Sequence, residues 1–193
     1  MEASGSRVGR AITRRVLRVA VRVREAIGAR PPKADAGGRR FGVLFVCLGN
    51  ICRSPLAEGI FRSKLAALGL LGSVEVDSAG TSGSNSGRPP DDRARLVAQR
   101  HGIAIGDLRA RTLVVDDFRQ FDRIVAFDGE NREAALTLAP DAEARSRIVL
   151  LRGDHGEVAD PVAGSLRDFE HAFQVIAEGC DALLEDVRSR LGP

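Results

Sequence analysis

Several residue types are missing or scarce in this sequence. The 193-residue chain has no tryptophan and no tyrosine, and only eight phenylalanines. Few flat side chains are therefore available to stack on nucleobases, so we expect no nucleic-acid partner. Cysteine is scarce as well, at positions 47, 52 and 180, and no secretory signal is evident. This cysteine usage indicates a reducing, cytoplasmic compartment rather than a disulfide framework.

Long apolar runs and metal-ligand patterns are also missing. No stretch of eighteen apolar residues occurs, so no transmembrane helix is expected. The three histidines, His101, His155 and His171, show no ligand spacing with the cysteines or with one another. The chain also lacks the glycine-rich fingerprints of nucleotide-binding loops. We therefore expect neither a metal nor a cofactor.

The net charge of +3 hides an asymmetry along the chain. Residues 1–40 carry +8 and the remaining residues −5. Within residues 7–27, apolar side chains recur at three- and four-residue steps opposite a row of arginines, which predicts a basic amphipathic helix. Glycines and prolines follow it. We divide the chain into a basic extension and linker, residues 1–40, and a globular domain, residues 41–193.

The predicted helix at residues 7–27 allows three interpretations. It could bind an anionic membrane surface, which would make the protein membrane-associated. It could instead dock on a protein partner or on a second copy of the chain. The third interpretation is an extension whose helicity is local, or which packs on its own domain.

Residues 43–55, VLFVCLGNICRSP, carry the clearest chemical pattern. Apolar residues run into Cys47, a short loop follows, and Arg53 and Ser54 precede a proline typical of a helix start. A strand that enters a helix through such a loop presents backbone N–H groups and the helix dipole to an anion. Arg53 can grip two phosphate oxygens with its planar guanidinium.

Cys47 lies where this anion site would begin. A helix N-terminus and an arginine favour the thiolate form of a cysteine, which can attack phosphorus. Ser54 could donate a hydrogen bond to that sulfur. The alternative interpretation is an ordinary buried cysteine at the end of a core strand.

The rest of residues 41–193 alternates between strand and helix patterns. Further strands are predicted at 74–78, 121–127 and 148–151, and helices at 55–68, 91–101 and 130–138, followed by a last long helix. In the helix at 91–101 we expect Leu96 and Val97 to face inward. This order predicts a four-stranded parallel sheet with helices on both faces, and a ligand site at the carboxyl ends of its strands.

The pattern around Cys47 resembles the signature of the low-molecular-weight protein tyrosine phosphatases. Later landmarks agree in order over residues 41–191, namely Asp77-Ser78-Ala79-Gly80-Thr81, Gly87-Arg88-Pro89-Pro90-Asp91, Arg100-His101-Gly102-Ile103, Asp117-Phe118, Phe121-Asp122 and Asp160-Pro161. The resemblance implies a flavodoxin-like fold and a cysteine-dependent phosphomonoester hydrolase that forms a phosphocysteine. Its substrate would be a phosphotyrosine protein or a small phosphoester.

The resemblance also implies roles for single residues. Cys47 would be the nucleophile, Arg53 the phosphate-binding cation, and Asp160 the acid that protonates the leaving group. By spacing alone Asp154, His155 and Glu157 would serve as well as Asp160. The substrate-binding loop would comprise Leu48, Gly49, Asn50, Ile51, Cys52 and Ser54.

Three departures from the family pattern weaken the prediction of phosphotyrosine as substrate. Leu108 stands where a histidine usually helps to brace the loop, and Ser84 and Val162-Ala163 stand where aromatics usually line the cleft. Two other functions therefore stay open. One is a thiol-dependent arsenate reductase, which needs a downstream cysteine pair although only Cys180 remains. The other is a catalytically weakened module that binds phosphate for regulation.

Overall fold

Four parallel strands form a sheet within residues 40–192, the part of the chain that the computed structural model describes. The strands are β1 (Phe41–Cys47), β2 (Val74–Gly80), β3 (Arg123–Ala126) and β4 (Ile148–Leu150). Their order is β2-β1-β3-β4, and every neighbouring pair runs parallel. The predicted four-stranded parallel sheet is confirmed.

Six α-helices connect or follow the strands in this part of the chain. In order they are α1 (Arg53–Ala67), α2 (Asp92–Arg100), α3 (Asp117–Gln120), α4 (Gly129–Leu138), α5 (Ala142–Ser146) and α6 (Leu166–Leu191), with a 3₁₀ turn at Gly153–His155. The long helices match the predicted ones to within about two residues, which is the usual uncertainty of helix ends. The predicted helix at residues 7–27 lies outside the described residues. None of the helices described is long and apolar enough to span a bilayer.

Side chains on the two faces of the sheet form two separate apolar clusters. Val43 and Phe45 of β1 pack with α1, α2 and α6, whereas Leu44 and Val46 pack with α3, α4 and α5. All four side chains are fully buried. A central parallel strand covered on both faces reads as a continuous apolar run, which is why β1 is so evident in the sequence.

The expectation that Leu96 faces inward is wrong. Its side chain is 41% exposed, whereas Val97 is fully buried. The core face of α2 consists of Ala94, Val97 and Ala98, and Leu96 lies off that face because successive helical residues are turned by about 100°.

The topology places the end of β1 at a switch point of the sheet. The chain leaves β1 for β2 on one side and returns to β3 on the other. Ligands of open parallel sheets bind at the carboxyl ends of the strands at such a point. Cys47 is the last residue of β1.

Core packing around α1 generates a stability prediction. Leu65 is fully buried in the cluster between α1 and α6. Leu65→Ala should lower the free energy of unfolding by about 2–5 kcal/mol, because it removes apolar contacts and leaves a cavity. Leu96→Ala is the matched control and should change it by less than about 0.5 kcal/mol. Urea unfolding measures both, and equal losses would contradict the assigned core.

Candidate active site

Residues 48–52 form the loop between β1 and α1. Asn50 has a φ of 53°, a left-handed conformation that asparagine adopts more readily than most residues. A Cβ on Gly49 would lie 2.7 Å from the side-chain nitrogen of Asn85, so a larger residue would displace the Asn85 side chain. The loop therefore turns tightly and brings Cys47 at the end of β1 next to the first turn of α1.

Hydrogen bonds of the Asn50 side chain brace the loop. Its Nδ2 donates to Ser54 Oγ and Ser78 Oγ, each at 2.9 Å, and its Oδ1 accepts from the backbone N–H of Arg111 at 2.8 Å. Because a backbone N–H can only donate, this last bond fixes which end of the amide is the oxygen. Asn50 is 2% exposed, so these bonds are shielded from water.

The orientation of Asn50 also fixes the direction of the neighbouring hydrogen bonds. Both serine oxygens accept from Asn50, so each serine keeps its own proton for another partner. Ser54 Oγ lies 3.0 Å from Cys47 Sγ, and Ser78 Oγ lies 2.7 Å from Glu58 Oε2. The Ser54 hydroxyl can therefore donate to the sulfur, whereas its other acceptor, the carbonyl oxygen of Ala79, lies farther away at 3.5 Å.

Glu58 closes this chain of hydrogen bonds at its inner end. The residue is 1% exposed, and its Oε1 lies 2.9 Å from Nη2 of Arg62. Burial raises the pKa of Glu58 above its ordinary value, against the opposing effects of Ser78 and Arg62. Leu108 stands where the family pattern has a bracing histidine, and its partly buried side chain packs against the apolar cluster. Glu58 is thus the partner that the structure gives to Ser78.

Arg111 anchors the segment whose backbone binds Asn50. Its guanidinium pairs with Asp117 through two bonds of 3.0 Å and with Asp77 at 2.9 Å. Burial would lower the pKa of Arg111, but these carboxylates raise it above its ordinary value. Sequence reasoning missed both Glu58 and Arg111, because isolated charged residues carry no local signal that distinguishes them from surface residues.

Arg53 is buried, with 2% exposure, and meets two carboxylates. Its Nη1 lies 2.5 Å from Asp128 Oδ2 and 3.0 Å from the carbonyl oxygen of Val158, and its Nη2 lies 2.6 Å from Asp160 Oδ2. Burial would lower the pKa of Arg53, but the hydrogen bond to Asp128 and the charge of Asp160 raise it, so the group stays cationic.

Two further features of this group matter for ligand binding. Asp128 is held in place because its other oxygen caps α4 by accepting from the backbone N–H of Asn131 at 2.7 Å. The Nε atom of Arg53 is buried and has no hydrogen-bond partner among residues 40–192. A buried donor without a partner is costly, and an anion in the loop would satisfy it.

Asp160 reaches this site from the loop between β4 and α6. Its Oδ1 accepts from the backbone N–H of Val162 at 3.0 Å, and its other oxygen meets Arg53. Of the three contenders by spacing, Glu157 instead binds the backbone N–H of Gly129, and Asp154 and His155 lie in the exposed 3₁₀ turn. Among the candidates by spacing, Asp160 is thus the one that contacts Arg53.

The remaining predicted loop residues differ in exposure. Leu48 is 54% exposed at the rim, and Cys52 is 4% exposed beneath it. Burial raises the pKa of Cys52 to about 12, with smaller contributions from Asp91 and Asp160. Ser84 and Val162, at the positions where the family pattern has aromatics, are both exposed.

The third cysteine, Cys180, lies outside this site. Cys180 is fully buried in α6, and burial raises the pKa of its thiol. It lacks the second downstream cysteine that a disulfide relay to arsenate would need. Within residues 40–192, no group of three or more His, Cys, Asp and Glu side chains could hold a metal ion.

Comparison with known proteins identifies the family. The model of the family described as low molecular weight phosphotyrosine protein phosphatase matches residues 42–191. The chain belongs to this family. It is 39% identical over 150 residues to the Bacillus subtilis (strain 168) low molecular weight protein-tyrosine-phosphatase YfkJ, covering 76% of this chain and 95% of that protein. It is 37% identical over 148 residues to the Homo sapiens enzyme, covering 74% and 93%.

Solved structures give the same relationship. A crystal structure of a protein tyrosine phosphatase from Entamoeba histolytica matches with a TM-score of 0.73 at 32% identity, covering 76% of this chain and 96% of that one. The predicted fold class and family are therefore confirmed. The family consists of cysteine-based phosphatases, which are hydrolases of phosphoric monoesters.

The contrast between the cysteines generates a labelling prediction. Iodoacetate at pH 7 should alkylate Cys47 first, because Cys47 lies beside the Ser54 hydroxyl and the N-terminus of α1, whereas burial raises the pKa of Cys52 and of Cys180. Peptide mapping measures the site of modification. Inorganic phosphate should protect Cys47, and Cys52→Ser should label like the wild type. Faster labelling of Cys52 or Cys180 would contradict the assignment.

Proposed function

We propose that this protein hydrolyses phosphoric monoesters in two steps at Cys47. The thiolate attacks phosphorus, an S–P bond forms, and the P–O bond to the leaving group breaks. Asp160 gives its proton to the departing oxygen. Water then attacks the phosphocysteine while Asp160 takes one of its protons, and the S–P bond breaks to release phosphate and regenerate the thiolate.

The observation that carries this proposal is the convergence of three groups from distant parts of the chain. Cys47 and Arg53 flank one loop, and Asp160 comes from another loop to within 2.6 Å of the guanidinium. The unpartnered Nε of Arg53 and the loop N–H groups supply donors for the transferring phosphoryl group. Such donors stabilise the transition-state charge without a metal ion.

The contact between Arg53 and Asp160 has a consequence for substrate binding. A phosphoryl group that enters the loop competes with Asp160 for Nη2 of Arg53. We propose that the substrate takes over this donor, which frees the Asp160 carboxyl to meet the leaving oxygen. Asp128 keeps its bond to Nη1 and holds the guanidinium in place during the exchange.

The substrate is proposed to be a phosphotyrosine protein or a small phosphoester. The names of the relatives support phosphotyrosine as the phosphoryl donor. If the positions of Ser84 and Val162 line the cleft as the family pattern implies, a phenyl ring would contact small and aliphatic side chains there. Aromatic stacking contributes about 0.5–1.5 kcal/mol per pair, so its loss would lower selectivity for an aryl group without preventing turnover.

Residues 1–40 are proposed to act separately from the phosphatase domain at 41–193. The +8 charge of this extension supports an interaction of residues 7–27 with an anionic membrane surface or an acidic protein partner in the cytoplasm. All the groups proposed for chemistry lie in the domain. The extension would therefore change where the enzyme acts and leave its chemistry unchanged.

Substitution of the proposed groups tests the mechanism. Cys47→Ser should lower the hydrolysis of p-nitrophenyl phosphate to background, because the serine hydroxyl stays protonated. Asp160→Asn should lower kcat by about 10²–10⁴-fold, because hydrolysis of the phosphocysteine loses its general base even though release of p-nitrophenolate needs little help from an acid. Arsenate reduction should be undetectable in wild type. Retained phosphate release by Cys47→Ser would rule out the proposed nucleophile.

Removal of the extension tests the proposed division of the chain. A variant that lacks residues 1–36 should keep the wild-type kcat for p-nitrophenyl phosphate. Its binding to vesicles with anionic lipids should be lost if the extension binds membranes. A large drop in kcat with an unchanged unfolding curve would show instead that the extension completes the active site.

A further inference from the structure

Arg93 lies between the two loops that carry the proposed chemistry. It is in the first turn of α2, and its side chain is 34% exposed. Nε and Nη2 bind the two carboxylate oxygens of Asp91, each at 2.9 Å. This hydrogen bonding holds the pKa of Asp91 below its ordinary value, so the pair stays ionised at neutral pH. Arg93 has no assigned part in the two chemical steps.

On one side, Arg93 binds the loop that contains Asp160. Its Nη1 donates to the carbonyl oxygen of Gly164 at 2.7 Å, and its Nη2 donates to that of Val162 at 3.0 Å. These carbonyls belong to the turn closed by the bond from Gly164 N–H to Pro161 O at 2.9 Å. The N–H of Val162 in turn donates to Asp160. Val162 thus connects Arg93 to the proposed acid.

On the other side, the Arg93–Asp91 pair is connected to the phosphate loop. The backbone N–H of Asp91 donates to the carbonyl oxygen of Ile51 at 2.8 Å. The guanidinium carbon of Arg93 also lies 4.4 Å from the centroid of the Phe169 ring, which is fully buried in α6. A cation over a buried aromatic face is held in position by electrostatic attraction. Asp91 and Phe169 therefore fix the position of the guanidinium that binds the turn.

We propose that Arg93 is a positioning residue that holds Asp160 over the phosphate loop while substrate occupies Arg53. The inference rests on the proposed role of Asp160 as general acid. Once a phosphoryl group takes Nη2 of Arg53, Asp160 keeps its bond from Val162 N–H, and Arg93 fixes the carbonyl of that same residue. Lysine cannot replace this arrangement, because one ammonium group cannot bind a carboxylate side-on and two carbonyls at once.

The dependence of rate on the leaving group distinguishes positioning from a general structural role. Phenyl phosphate releases a basic phenolate and depends strongly on an acid, whereas p-nitrophenyl phosphate releases a stable anion and depends on it little. A displaced Asp160 therefore lowers kcat/KM for phenyl phosphate more than for p-nitrophenyl phosphate. A distorted phosphate loop lowers both alike.

The experiment measures kcat/KM for both substrates in wild type, Arg93→Ala and Arg93→Lys. Arg93→Ala should lower kcat/KM for phenyl phosphate by about tenfold and kcat/KM for p-nitrophenyl phosphate by less than about threefold. The expected loss is smaller than the full contribution of a general acid, because Asp160 is displaced and not removed. Arg93→Lys should give kcat/KM values close to those of Arg93→Ala. It serves as the second variant if the alanine protein does not fold. Arg95→Ala, which removes an exposed ion pair with Asp92 in the same helix, should keep the wild-type ratio.

A double-substitution cycle with Asp160→Asn completes the test. Asp160→Asn alone should lower the ratio of kcat/KM for phenyl phosphate to kcat/KM for p-nitrophenyl phosphate. Adding Arg93→Ala should lower this ratio no further, because the acid is already absent. Equal losses on both substrates in Arg93→Ala, or a further change of the ratio in the double variant, would overturn the positioning role. An unchanged ratio in Asp160→Asn itself would instead overturn the assignment of the acid, and the role of Arg93 with it.

Discussion

The proposed chemistry depends on keeping the short loop at residues 48–52 in one conformation between Cys47 and Arg53. A flexible loop would lose this arrangement, because fixing the backbone of each residue costs about 1–2 kcal/mol. Hydrogen bonds of Asn50 offset part of this entropy loss, because its buried amide binds two serines and a backbone N–H at once. The hydrogen bonds extend on to Glu58 and to the segment that Arg111 anchors. The loop is therefore supported from β2, α1 and the segment before α3 together.

A second constraint is the burial of a permanent positive charge. Arg53 is nearly inaccessible to water, and an unpaired buried cation would destabilise the fold. Asp128 and Asp160 neutralise it, but they differ in attachment. Asp128 caps a helix and is fixed, whereas Asp160 lies in a loop whose turn is held by Arg93. The same electrostatic requirement thus supplies a fixed partner for the guanidinium and a second partner, Asp160, that a phosphoryl group displaces in the proposed mechanism.

The sequence allowed the local part of this arrangement to be predicted and left out most of the distant part. β1, the loop and α1 are continuous, so apolar pattern, glycine, arginine and proline appear in one readable order. Asp128 and Arg93 act on groups more than sixty residues away, and a single charged residue gives no sign of such a partner. Asp160 could be chosen over its neighbours only through the family resemblance. The helices α3 and α5 were missed because four or five residues are too few to show a period.

The account requires that a phosphoryl group be carried by one sulfur between the two steps. Rapid acid quenching of Asp160→Asn during turnover of ³²P-labelled p-nitrophenyl phosphate, followed by peptide mapping, tests this most directly. Slowed hydrolysis of the intermediate should let label accumulate on the peptide that contains Cys47, toward one phosphate per chain. Turnover without any labelled peptide, or label on another residue, would contradict the account.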